Sequence, residues 1–142
     1  MTAKFEWELS NNSNDLEKFI DGFSAVLKKQ NLNPDNINHL CLILDEIITN
    51  IMAYGFKDNK PHHIHIEANL AIGTIETVIK DDGIPFNPTK QTKPDTSLSL
   101  EDRPIGGLGL YLVKSFVDSI NYKYENGQNV LKLVKKLHVA KG

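Results

Sequence analysis

The order in which apolar spacing changes along this 142-residue chain constrains its fold most. Phe5, Trp7 and Leu9 alternate with Lys4, Glu6 and Glu8, the period of a half-buried strand. Two helical runs then follow back to back. The first carries Leu16, Phe19, Ile20, Phe23, Val26 and Leu27 behind the capping residues Asn11-Asn12-Ser13-Asn14. Asn33-Pro34-Asp35 ends it and opens the second, where Ile37, Leu40, Cys41, Leu44, Ile48, Ile51 and Met52 keep helical spacing. Leu42, Ile43 and Ile47 make this second helix apolar on most other sides, which predicts burial between neighbours. Gly55 supplies a terminator.

Two strands are expected next, at about His63–Leu70 and Thr74–Lys80, joined by a short turn at Ala71-Ile72-Gly73. From Asp82 to Arg103 the sequence has no period and carries Pro85, Pro88 and Pro94, so a long binding loop or lid is expected. Gly107 to Ser119 reads as a third helix. Ile120–Tyr124 and Asn129–Leu137 read as a closing hairpin around Asn126-Gly127. The order β-α-α-β-β-loop-α-β-β lacks the strict alternation of a doubly wound fold. It predicts an α+β two-layer sandwich, a mostly antiparallel sheet with helices on one face.

Composition narrows the function classes. The length suits one domain, and a net charge of −2 argues against nucleic-acid or membrane-surface binding, both of which need basic excess. No apolar run approaches the roughly 18 residues of a membrane span, and the first residues do not read as a signal peptide. The one cysteine, Cys41, has no internal disulfide partner and is expected to pack as a small hydrophobe. A cytoplasmic location is the expectation. The lysines at 132, 135, 136 and 141 read as a solvated strand edge. His63 and His65 share a strand face, but no neighbouring ligand completes a zinc set.

Three segments carry chemistry. Glu46 and Asn50, within Asp45-Glu46-Ile47-Ile48-Thr49-Asn50, lie one helical turn apart and project from one face. A carboxylate and a carboxamide on a mostly buried helix need a partner, and their oxygens suit a hard cation such as Mg²⁺. Asp81 ends a strand in front of Asp82-Gly83, where its carboxylate could accept from an amino group such as that of adenine. Gly83 would let a ring come close to the backbone. Gly106-Gly107-Leu108-Gly109 opens a helix, and unpaired N–H groups there with the helix dipole favour a phosphate. It is neither a P-loop nor a Rossmann turn.

In this order, and on these elements, the three segments resemble the ATP-binding (Bergerat-type) domain shared by gyrase, heat-shock chaperone, mismatch-repair and histidine-kinase proteins. Among these the chain looks most like the anti-sigma-factor serine/threonine kinases of bacterial partner switching. That resemblance implies a single ATP-binding domain over residues 1–142, with a nucleotide lid at about 84–105. It implies ATP and Mg²⁺ as cofactors, with Asn50 as metal ligand and Glu46 as the base that takes the acceptor hydroxyl proton. Asp81 would recognise adenine, with Gly83, Pro85 and Phe86 around the ring, and Gly106, Gly107, Leu108 and Gly109 would cradle the phosphates. The implied partners are a STAS-type anti-anti-sigma protein, a sigma factor and a second copy of the chain. The chain departs from the family pattern at Pro85, where a glycine is usual, at Tyr54, where His is common, and at Asn129, where a Thr near adenine is frequent. The competing reading keeps ATP as the gate of a protein-binding switch and drops the transfer.

Overall fold

A computed structural model describes residues 2–90 and 115–137. In chain order the elements are β1 (Ala3–Ser10), α1 (Ser13–Lys29), α2 (Pro34–Tyr54), β2 (His63–Ala71), β3 (Thr74–Asp81), β4 (Ser119–Glu125) and β5 (Gln128–Lys136). The five strands make one open sheet in the order β1-β2-β3-β5-β4, with every neighbouring pair antiparallel. This is the expected α+β arrangement.

Local chemistry explains where the elements begin. The Asn12 side chain accepts from the Asp15 N–H at 2.8 Å, and the Asp15 carboxylate accepts from the Ser10 N–H at 2.9 Å. The turn between β1 and α1 is thereby closed from both sides. Asn33 caps α2 in the same way, accepting from Asp35 N–H, with Pro34 in the first turn. Between β4 and β5, Asn126 and Gly127 both have positive φ, 54° and 75°, as a two-residue hairpin turn of the I′ kind requires.

Alternation along the strands puts Leu9, Ile64, Ile66, Ala68, Ile75, Ile79, Leu131 and Leu133 on one sheet face. Against it lie Phe19, Phe23 and Leu27 of α1 and Ile37, Leu40, Ile43, Leu44, Ile47, Ile48 and Ile51 of α2. Trp7, Phe19 and Phe23 pack edge-to-face and tilted into an aromatic corner with ring centroids 5.3–5.6 Å apart.

Four details differ from the sequence reading. α2 is not buried all round, because Leu42 is 51 % exposed on a face shared with Asp45 and Thr49. The third helix stops earlier than expected: Phe116 is its last helical residue, and Ser119 already begins β4. β5 is no strand edge, since it lies between β3 and β4. Lys132 and Lys136 face solvent, but Lys135 points inward, buried, and donates to the Phe116 carbonyl at 2.7 Å. A lysine is well placed there, satisfying a helix-terminal carbonyl. Cys41 is only half-buried, and that partial burial raises its thiol pKa.

Candidate functional site

The C-terminal end of α2 and the C-terminal end of β3 meet directly. The Ile84 N–H donates to the Gly55 carbonyl at 2.9 Å. A Cβ on Gly83 would stand 2.3 Å from that same carbonyl oxygen, so only glycine permits the approach. Gly55 itself keeps right-handed φ and ψ, and a Cβ there would meet the Ile51 carbonyl at 2.7 Å. Crowding, rather than a left-handed turn, explains both glycines. Tyr54 and Phe86 close the junction with ring centroids 6.2 Å apart.

Asn50 lies five residues before Gly55, roughly 7–8 Å along the helix axis. It is buried at 6 % exposure, and its carboxamide hydrogen-bonds the Glu46 side chain one turn earlier. The other Glu46 oxygen, Oε1, is buried and has no hydrogen-bond partner among the described residues. Burial raises the Glu46 pKa, the bond from Asn50 opposes the rise, and Asp45 adds to it. An orphaned carboxylate oxygen beside a buried carboxamide is a donor set that suits a hard cation or an incoming hydroxyl.

Asp81 is 4 % exposed at the end of β3. Its Oδ1 accepts from the Gly83 N–H and from Asn129 Nδ2, each at 2.9 Å. Burial raises its pKa, while those two bonds pull the other way. Asn129 is Asp81's cross-strand partner on β5. It also donates to the Ile84 carbonyl at 2.8 Å and lies 3.5 Å from that of Gly83. Its Oδ1 accepts from the Phe86 N–H at 2.9 Å and from the Tyr122 hydroxyl. Residues 84–86, expected to begin a lid, are therefore tied to the sheet. Asn87 adds a local turn by accepting from the Thr89 N–H and hydroxyl at 2.9 and 2.6 Å. Pro85 is exposed and Phe86 half-buried on this turn.

Sequence reasoning missed a neighbouring clip. His62 stacks on Phe56 with ring centroids 4.4 Å apart. Its Nε2 lies 2.6 Å from Asp58 Oδ1 and its Nδ1 3.0 Å from Asp82 Oδ1. Two carboxylates facing both ring nitrogens favour the imidazolium, and the His62 pKa is raised, first by Asp58 and then by Asp82. The clip ties the α2–β2 connection to the turn after Asp81. The Asp58/His62 spacing of four was its only trace in the sequence.

Glu46, Asn50, Asp81, Gly83, Pro85 and Phe86 thus all fall on α2 or on the β3 turn that abuts its end. Gly106, Gly107, Leu108 and Gly109, and residues 91–105 of the expected lid, lie outside the described residues.

A family of ATPases is the class that this fold and its α2–β3 junction define. The model of the Histidine kinase-like ATPase domain matches residues 9–135, so the chain belongs to that family. Membership makes ATP the nucleotide associated with its fold.

Among its relatives is the serine/threonine-protein kinase BtrW of Bordetella bronchiseptica, 32 % identical over 94 residues, covering 66 % of each chain. Another is the serine-protein kinase RsbW of Bacillus thuringiensis, 29 % identical over 112 residues, covering 76 % of this chain and 69 % of that one. The chain thus spans about two thirds of the length of these curated relatives. A Mycobacterium tuberculosis structure of RsbU and RsbW domains shares the fold, with a TM-score of 0.68 and 14 % identity. It covers 95 % of this chain, which covers 32 % of it. Among the described residues no helix is long and apolar enough to cross a membrane.

Proposed function

We propose that this chain is a Mg-ATP-dependent serine/threonine protein kinase of the anti-sigma type. Its substrate would be a Ser or Thr of a small STAS-type anti-anti-sigma protein, and it would also sequester a sigma factor. The observation that carries the reading is the orphaned, buried Oε1 of Glu46 beside Asn50. The two kinase relatives, BtrW and RsbW, support it.

Asp81 would take the amino edge of adenine. Asn50 would hold Mg²⁺, which supplies charge neutralisation on the phosphates when bound. Glu46 Oε1 would accept the proton of the acceptor hydroxyl as that oxygen forms its bond to the γ-phosphorus and the bond to the β–γ bridging oxygen breaks, leaving ADP. Ionised Glu46 is needed for this, and its raised pKa makes it a stronger base than a surface glutamate. Positioning and electrostatics would supply most of the rate, as in phosphoryl transfer generally. A cytoplasmic homodimer is the form proposed.

Mixing the protein with labelled ATP, Mg²⁺ and a STAS protein from the same operon tests the reading. Label on a Ser or Thr, lost in Glu46→Gln, is expected. Binding of the STAS protein and of ATP without transfer would favour the ATP-gated switch instead.

A further inference from the structure

The Asn129 carboxamide is saturated by the protein itself. A carboxamide offers two N–H donors and two lone pairs. Here the donors go to Asp81 Oδ1 at 2.9 Å and the Ile84 carbonyl at 2.8 Å, with the Gly83 carbonyl further off at 3.5 Å. The lone pairs receive the Phe86 N–H and the Tyr122 hydroxyl. Tyr122 in turn accepts from the Phe86 N–H at 3.1 Å, so the two side chains close a ring of bonds around residues 81–86. Nothing is left on Asn129 for a ligand.

We propose that Asn129, backed by Tyr122, is the positioning residue that sets base specificity by holding Asp81 with Oδ1 filled and Oδ2 as its one open acceptor. This rests on the nucleotide reading above. A carboxylate fixed in that way accepts a donor and repels an acceptor. A base held by Oδ2 would then be a 6-amino purine in preference to a 6-oxo purine, whose oxygen would face that carboxylate oxygen. Without Asn129 the buried Asp81 loses its strongest opposing hydrogen bond and takes up a proton more readily. Protonated Asp81 can donate to a 6-oxo group, so discrimination falls, and falls further as pH is lowered. The other charged groups acting on Asp81 are Asp82, on its own turn, and His62, from the α2–β2 connection. Both remain in the variants below.

The experiment is calorimetric titration of wild type, Asn129→Ala and Tyr122→Phe with ATP and with ITP, in Mg²⁺, at two pH values. Wild type should favour ATP, and the ATP/ITP affinity ratio should fall about tenfold or more in Asn129→Ala. Tyr122→Phe keeps the ring and should lower the ratio less. If Asn129→Ala does not fold, Tyr122→Phe carries the test alone. Loss of affinity for both nucleotides with the ratio intact would overturn the proposal, because Asn129 would then be structural only. Wild type that binds ATP and ITP equally would overturn it while leaving the kinase reading in place. Wild type that binds neither would overturn both.

Discussion

At the β1–α1 corner Trp7, Phe19 and Phe23 pack ring on ring, whereas at the β3 end Asp81, Asn129 and Tyr122 are joined by directed hydrogen bonds. Both regions are buried, but they fail differently. Apolar packing is non-directional, and its loss is graded with the volume removed. A buried polar ring leaves an unsatisfied partner whenever one member is cut, so its loss is felt at the site. The first region supports the fold, and the second supports a geometry.

Substitutions at the two ends should therefore separate activity from stability. The largest effect is expected from Glu46→Gln, which should lower phosphotransfer by about 10²–10⁴-fold. Its melting temperature should hold or rise, because a partly buried glutamate with a raised pKa costs stability once ionised. The same shift places the acid limb of the wild-type rate profile above the ordinary 4.5. A rate that persists in Glu46→Gln would remove the base from the account.

Phe23→Ala should cost about 3–5 kcal/mol in denaturant unfolding. Nucleotide affinity of the molecules that remain folded should stay the same. Gly83→Ala forces a methyl against the Gly55 carbonyl and should cost about 1–3 kcal/mol. Unlike the Phe23 change, it should also weaken ATP, since the contact it pushes apart aligns α2 with β3.

The smallest effect belongs to His62, whose clip is open to solvent. Its folded pKa is raised above 6.5, so its contribution is full below 6.5 and fades as pH rises through the elevated value. Compared with His62→Gln, wild type should melt higher below pH 6.5, and the difference should shrink well above it. A difference that does not vary with pH would show that the ring acts through its stack on Phe56 alone.

What was legible in the sequence was local. The strand periods, the periods of α1 and α2, both asparagine caps and the Asn126-Gly127 turn need only neighbours within a few residues, and the structure has them where expected. Pairing across the sheet was not legible. Lys135 looked like one of several surface lysines until β5 took an interior position and turned it toward the Phe116 carbonyl. Asn129 stood out only as a departure from a family pattern. Its role depends on register, which sets it opposite Asp81 across 48 residues of chain. For Gly83 the sequence suggests room for a ligand ring, and the structure adds a second reason that no local pattern shows, the backbone carbonyl of Gly55.

If the α2–β3 junction is a Mg-nucleotide site, thermal unfolding with and without ATP will show it. At about a hundred times Kd, ATP with Mg²⁺ should add about 2.7 kcal/mol. That corresponds to a rise of several degrees, at about 2–8 °C per kcal/mol. The rise should require Mg²⁺ and vanish in Asn50→Ala, each protein being compared with its own ligand-free midpoint. A folded wild type whose midpoint does not move, or moves equally without Mg²⁺ and without Asn50, would show that this junction is not a Mg-nucleotide site.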